Sequence, residues 1–321
     1  MEIYNFDSCP YSDRNGGYGG AAGDKDGILF RGERWMVKYP KELFGMRKSD
    51  KLEKNSLTPL SEFLGSHIYA ILGYPVHETL LGYRKGKIVV ACKDFCLDGE
   101  RLFEIRTIKN VHLNEVAEKA GVSSLATGED RMINLRTLFV HMDLNPELCE
   151  IDGLKERFWD QVVVDGLIAN GDRNNGNWGL LVGERKTLAP IFDNGAAFYP
   201  KKSEASILKA LGLPKEEADR NYLNVVFPYT LNQKDHLNWK GMLSLGEGEI
   251  PKDHLFLLHS SIRRNANFLK ARKAEIEGLF QSVPETYEGL PVLSVARRQY
   301  YLSSFKARAE YLVDLANSLS Q

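Results

Sequence analysis

Gly171-Asp172-Arg173-Asn174-Asn175-Gly176-Asn177-Trp178 sits where a helical apolar pattern over residues 154–169 gives way to strand-like residues from Trp178 onward. Asn170-Gly171 reads as a left-handed stop for that helix. The tight loop that follows holds a carboxylate and, five residues on, an amide. Asp172 can orient or deprotonate an attacking hydroxyl, and Asn177 can give its amide oxygen to Mg²⁺. A hairpin comes next, strands over 178–182 and 187–192 around a turn at 183–186, and it ends at Asp193-Asn194-Gly195. Asp193, twenty-one residues after Asp172, is a second carboxylate of the kind that ligates metal ions bridging nucleotide phosphates. Each motif alone is also ordinary turn chemistry, so the weight falls on what accompanies them.

Upstream, Gly16, Gly17, Gly19, Gly20, Gly23 and Gly27 fall within twelve residues. A loop without Cβ atoms lets backbone N–H groups approach phosphate oxygens. It lacks the G-x-x-x-x-G-K-[ST] pattern and leads into no helix, which disfavours a P-loop nucleotidase. The next segments read as a β-hairpin, 27–30 and 35–39 around a charged turn at 31–34. Lys38 lies in this second, apolar strand, fifteen residues after Gly23. A charge inside a strand needs a partner, and Glu62 is the natural counter-ion. It stands early in a helix that opens at Thr58-Pro59, carries Leu60, Phe63, Leu64, Ile68, Ile71 and Leu72 at helical spacing, and stops at Gly73. Short strands follow over 76–83 and 87–92, and then Lys93-Asp94-Phe95.

From residue 101 the pattern becomes mainly helical, with helices expected over 113–120, 132–142 and 154–169, a loop-rich stretch over 200–250, and helix again beyond Pro251. Leu302, Phe305, Ala309, Leu312, Val313 and Ala316 form an apolar stripe suited to a core or an interface. The reading is therefore an α+β fold of two lobes, a β-rich one over 1–96 and a helical one over 97–321, with a cleft between them.

The bulk numbers exclude several classes. Of 321 residues 43% are hydrophobic, enough for one or two ordinary cores. The net charge is −1, about +2 over the first 96 residues and −3 over the rest, so the basic excess of a duplex nucleic-acid binder is missing. Four cysteines without a paired CxxC spacing argue against a disulfide framework or a structural zinc site, and the seven scattered histidines read as structural. The N-terminus has no basic-then-apolar signal, and no apolar run approaches the ~18 residues of a membrane span. The expected location is the cytoplasm, with no membrane and no direct nucleic-acid partner.

With these elements in order, the sequence resembles the HipA-like serine/threonine kinases over most of its length. Residues 172–177 look like that family's catalytic loop, with Asp172 as the catalytic residue, and Asp193 like its second metal-binding aspartate. The resemblance implies a two-lobed protein-kinase-like fold, ATP and Mg²⁺ as cofactors, Asn177 and Asp193 as metal ligands, and Gly17, Gly19, Gly20, Lys38 and Glu62 at the nucleotide. Lys93, Asp94 and Phe95 would join the lobes, where backbone groups meet adenine. It implies transfer of the γ-phosphate to serine or threonine of a protein substrate, often with autophosphorylation in the Gly-rich loop; some members are toxins silenced by a DNA-binding antitoxin. The loop begins almost at the N-terminus, as in the short, CtkA-type branch without an extra N-terminal subdomain. Family catalytic loops often carry histidine and lysine where this chain has Asn174 and Gly176, so Lys25 or Arg173 is expected to supply phosphate contacts. With no serine among the loop glycines, Ser12 and Tyr18 are the nearby hydroxyls for self-modification. The Asp-Arg-x-x-x-Asn pattern also occurs in phosphoinositide-kinase-like enzymes, which leaves a lipid or small-molecule kinase as a second reading. A nucleotide-binding pseudokinase acting as a protein-binding module is a third.

Overall fold

A computed structural model describes residues 1–18, 25–43, 55–128, 132–231 and 235–319. The N-terminal part contains strands β1 (Tyr4–Asn5), β2 (Lys25–Phe30) and β3 (Glu33–Lys38), helix α1 (Thr58–Ile71), and strands β4 (Thr79–Arg84) and β5 (Lys87–Lys93). The strands form one sheet in the order β1-β4-β5-β3-β2, antiparallel except for the β1–β4 pair. The β2–β3 turn is tighter than the sequence suggested. Only Arg31 and Gly32 lie between the strands, both at positive φ (53° and 80°), and Lys85-Gly86 joins β4 to β5 in the same way. Two-residue turns of this hand match the right-handed twist of the flanking strands.

Alternation along β3 places the site. Trp35 and Val37 join Phe6, Ile28, Val89 and Ala91 in a small core on one face of the sheet. The period of two then sends Lys38 to the opposite face, where its register partner Val90 packs with Leu60, Phe63, Leu64 and Ile68 of α1. Pro59 occupies the first turn of α1, and Gly73 follows its end at φ 86°. Ten of the fourteen α1 residues are buried, because the helix is covered by the sheet on one side and by the helical part on the other.

The rest of the chain contains β6 (Arg101–Glu104), α2 (Ile105–Val111), α3 (Leu113–Lys119), β7 (Ile133–Asn134), α4 (Leu135–Leu144), α5 (Leu154–Leu167), β8 (Gly179–Val182), β9 (Lys186–Leu188), α6 (Glu204–Leu211), α7 (Lys215–Leu223), β10 (Val226–Thr230), β11 (His236–Asn238), α8 (Trp239–Leu243), α9 (Lys252–Ser282), β12 (Thr286–Tyr287), β13 (Leu290–Pro291) and α10 (Val295–Ser318). Helices α5, α9 and α10 pack side by side, and the α10 stripe of Phe305, Leu312 and Ala316 is core. Residues 200–250 hold three short helices and a hairpin where loops were expected; Ile207 and Tyr222 are among their few buried anchors, so the amphipathic signal is thin. Helix α4 starts at Leu135, capped by Asn134, because Ile133-Asn134 is drawn into a parallel pair with β10. The strand expected over 187–192 ends at Leu188, and Pro190 follows within the next two residues. No helix among the described residues is long and apolar enough to cross a membrane.

Candidate active site

The loop 170–177 hangs from the end of α5, and that end is fixed from two sides. Ala169, not Asn170 or Gly171, takes the left-handed conformation (φ 52°), and Asn170 N–H returns to the Asp165 carbonyl at 2.7 Å. From α10 the buried Arg308 donates through Nε to the Leu167 carbonyl (2.7 Å), meeting an acceptor the helix leaves open. Arg173 then folds back into the protein. Its guanidinium binds Asp165 through two contacts (2.8 and 3.0 Å), and donates to the carbonyls of Asn177 (2.8 Å) and Phe192 and to Asn194 Oδ1 (2.5 Å). Tyr69 of α1 and the Asn170 amide complete the acceptor demand of Asp165 Oδ1 at 2.9 and 3.0 Å. The expectation that Arg173 meets phosphate is therefore corrected, since its donors are spent inside. Asp165 was missed by the sequence reading. Its signal was a carboxylate inside Val162-Val163-Val164-Asp165-Gly166-Leu167-Ile168, which only a buried partner can stabilise.

The expected Lys38–Glu62 pair is present, and it reaches further than expected. Lys38 Nζ lies 2.8 Å from Glu62 Oε2 and 3.0 Å from Asp193 Oδ1. The other Glu62 oxygen accepts from the Asn194 backbone N–H (2.8 Å) and faces His77 Nε2 (3.0 Å). Burial alone would lower the Lys38 pKa, but the charges of Asp193 and Glu62 outweigh it and hold the ammonium well above its ordinary value. Burial likewise opposes ionisation of Glu62, and Lys38 and His77 reverse the balance and hold its carboxyl far below the usual range. Helix α1 can approach the 193–195 turn only because residue 65 is glycine. A Cβ there would stand 2.8 Å from Asn194 Cβ. Asp193 itself is left-handed (φ 59°), an uncommon conformation for a non-glycine residue that aims its carboxylate back at Lys38.

Asp172 and Asp193 line one cavity of about 580 Å³. The Asn177 amide donates to the Asp172 carbonyl at 2.5 Å, which leaves its oxygen for a cation. Desolvation raises the Asp172 pKa, opposed by the Asn174 amide and assisted by the charge of Asp193. An amide oxygen and a carboxylate, with the Lys38 ammonium beside the carboxylate, suit a hard divalent cation with bound phosphates. Glu62, His77 and Cys92 also bring ligand atoms within 4.8 Å of one another, but Lys38 already supplies the positive charge at that carboxylate.

No model of a known protein family matches the sequence. Serine/threonine-protein kinase CtkA of Helicobacter pylori (strain J99) is 29% identical over 326 aligned positions, covering 99% of this chain and 89% of that protein. HipA of Shewanella oneidensis MR-1, solved with HipB and operator DNA, has a like fold (TM-score 0.52, 13% identity, 93% of this chain and 67% of that one). The crystal structure of a Helicobacter pylori proinflammatory kinase CtkA matches with a TM-score of 0.79 at 26% identity, over 99% of this chain and 97% of that one. The chain is similar to CtkA over nearly its whole length, and its fold is the one that CtkA and HipA share.

The remaining expected residues divide. Gly17 N–H donates to the Arg14 carbonyl at 3.0 Å, and Gly19 and Gly20 lie outside the described residues. Two N–H groups of the joining segment are taken by the sheet, Lys93 to the Glu78 carbonyl and Asp94 to the Arg34 carbonyl, both at 2.9 Å. The Lys93 ammonium pairs with Glu33 and Glu78 at 2.6 and 3.5 Å. Asp94 is a tie point the sequence did not reveal. Its Oδ2 accepts from Arg14 (2.8 Å) and from the Tyr18 hydroxyl (2.9 Å), fastening the start of the glycine segment to the joining segment. The Phe95 ring packs on Phe192, one residue before Asp193, with centroids 5.7 Å apart. Lys25 stands opposite Lys38 in register, and burial together with the Lys38 charge lowers its pKa.

Proposed function

We propose that this chain is an ATP- and Mg²⁺-dependent serine/threonine protein kinase whose site lies between residues 1–96 and 97–321. The observation that carries the reading is the Lys38 ammonium joined to both Glu62 and Asp193, with Asp193 and Asp172 on one cavity. Lys38 orients the phosphates and is itself fixed by Glu62. Asn177 and Asp193 are the residues that hold Mg²⁺, which when bound neutralises charge on the transferring phosphoryl group. Asp172 holds the acceptor hydroxyl in line and takes its proton as the new oxygen–phosphorus bond forms and the bond to the β-phosphate oxygen breaks. Backbone groups near Gly17, Gly19 and Gly20 cover the phosphates, and the 93–95 segment borders adenine. Catalysis is then mostly placement and charge neutralisation.

Autophosphorylation belongs to the same proposal, at Ser12 or Tyr18, the hydroxyls beside the glycine segment. Incubation with radiolabelled ATP and Mg²⁺, followed by mass spectrometry, tests the reading. Phosphoserine or phosphothreonine on the chain or on a protein acceptor is expected, and Asp172→Asn should remove nearly all of it while nucleotide binding persists. Label confined to a lipid extract, or nucleotide binding without any transfer, would overturn it.

A further inference from the structure

The cavity that holds Asp172 and Asp193 is lined on its other sides by Lys41, Lys201 and Lys202. These lysines come from two places in the fold. Lys41 follows β3, and Lys201 and Lys202 follow the 193–195 turn; residues 56–57 bridge the two, with Ser56 N–H donating to the Lys41 carbonyl (2.8 Å) and Leu57 N–H to the Pro200 carbonyl (2.9 Å). In a chain of net charge −1, three cations face one cavity. Among the described residues none of the three forms an ion pair with a carboxylate. Lys202 is half-buried over the rings of Tyr300 and Tyr199 (4.6 and 5.7 Å), and its ammonium donates to the Tyr300 hydroxyl at 2.8 Å. Lys201 is exposed, and its charge acts on the Asp172 carboxylate.

The wall that carries these lysines is strained. Phe198 and Tyr199 are consecutive left-handed residues (φ 57° and 54°), and Ala169 and Asp193 on the same cavity are left-handed as well. Three of these left-handed residues line the cavity and Phe198 adjoins it, and strain of this kind clusters where a ligand is clamped. Apart from the lysines, Asp172, Asp193 and Thr58, the lining is small or apolar, with Val226 72% exposed.

We propose that this cavity reads the acceptor, and that the preferred substrate is a protein segment whose serine or threonine is flanked within a few residues by an aspartate or glutamate. The inference rests on the kinase reading and adds the substrate class. Lys41 and Lys201 would meet the flanking carboxylate while Asp172 meets the hydroxyl; a neutral or basic segment would leave Lys41 and Lys201 without a carboxylate ion pair at this cavity.

The test compares paired serine peptides that differ only by Glu→Gln within three residues of the acceptor, with KM for peptide and KM for ATP measured separately. The acidic peptide should show kcat/KM about tenfold higher, carried by KM for peptide. The double variant Lys41→Gln/Lys201→Gln should bring the acidic peptide down to the neutral one, and Lys41→Glu/Lys201→Glu should turn the preference toward lysine-flanked peptides. Equal use of acidic and neutral peptides by an active enzyme would overturn the proposal and leave the kinase reading standing. So would a double variant that raises KM for ATP instead, because the lysines would then serve the nucleotide. Failure of the unaltered protein to phosphorylate itself or any peptide would overturn both.

Discussion

Arg173 and Asp165 form a two-contact ion pair, 2.8 and 3.0 Å, in which both side chains are only 2% exposed. The pair joins the last turns of α5 to the loop that carries Asp172 and Asn177, and through Phe192 and Asn194 to the turn that carries Asp193. Removing one partner strands the other charge in the core, which typically costs about 3–5 kcal/mol. Asp165→Asn is therefore expected to lower the unfolding free energy, read from urea denaturation, by that order and to abolish phosphotransfer together. Arg173→Lys should do nearly as much harm, because an ammonium cannot span acceptors in four residues. An Asp165→Asn protein with unchanged stability and activity would show that the loop is positioned by something else.

The Lys38–Glu62 pair sets a pH window for stability. Glu62 ionises in the folded protein far below the usual carboxylate range, so its contribution is present above its unfolded pKa of about 4.3 and is lost as pH falls. Lys38 is shifted the other way, above its ordinary value, so its contribution is full below about 10.4 and is lost as pH rises past the raised folded value. Stability should plateau between roughly pH 5 and 10 for this pair. Glu62→Gln should flatten the acid side of a pH titration of the unfolding midpoint; an acid limb identical to that of the unaltered protein would contradict the assignment.

Activity should show a different acid limb. Desolvation raises the Asp172 pKa, and the charge of Asp193 adds to the effect. The charged form that accepts a hydroxyl proton therefore fades at a higher pH than for an ordinary aspartate. A kcat profile should fall on the acid side with an apparent pKa above about 3.9, while nucleotide affinity declines less over the same range. Asp172→Asn should remove about 10²–10⁴ of rate and with it that limb. Persistence of the limb in the asparagine variant would assign it to another group.

How much of this was legible in the sequence depends on the distance over which each signal acts. The hairpins, α1 and the order Lys38, Glu62, Asp172, Asn177, Asp193 are local patterns, period two or 3.6 with turn residues between, and they could be read directly. The Lys38–Glu62 contact could be inferred because a charge in an apolar strand demands a partner. Arg173 misled because an exposed-looking arginine in a polar loop carries no local sign that Asp165, Asn194 and two carbonyls will enclose it. In the joining segment, register with Glu78 and Arg34 decides which N–H groups are left, and that pairing acts over too long a separation to be read locally. Helices α6 to α8 were missed because each is short and buries one to three side chains, too few for periodicity to show.

Ser12 offers a test of how the glycine segment is coupled to the nucleotide. The residue is 6% exposed, its N–H donates to the Gly27 carbonyl (2.8 Å), and its hydroxyl has no hydrogen-bond partner. A Cβ on Gly27 would stand 2.8 Å from that hydroxyl and 2.9 Å from the Asn15 backbone, so residues 12–15 lie directly on β2 with no room for added atoms. An anion at Ser12 would be buried without a partner, a cost of at least several kcal/mol, and the segment should leave β2 to avoid it. That departure would pull on Arg14 and Tyr18, the two ties to Asp94. Ser12→Asp is thus expected to raise KM for ATP by about tenfold or more and to expose 12–18 to hydrogen exchange. Ser12→Ala, which gives up only an unbonded hydroxyl, should keep stability within about 0.5–1 kcal/mol and lose any label placed there. If Ser12→Asp bound ATP as the unaltered protein does, the segment would not be coupled to the nucleotide.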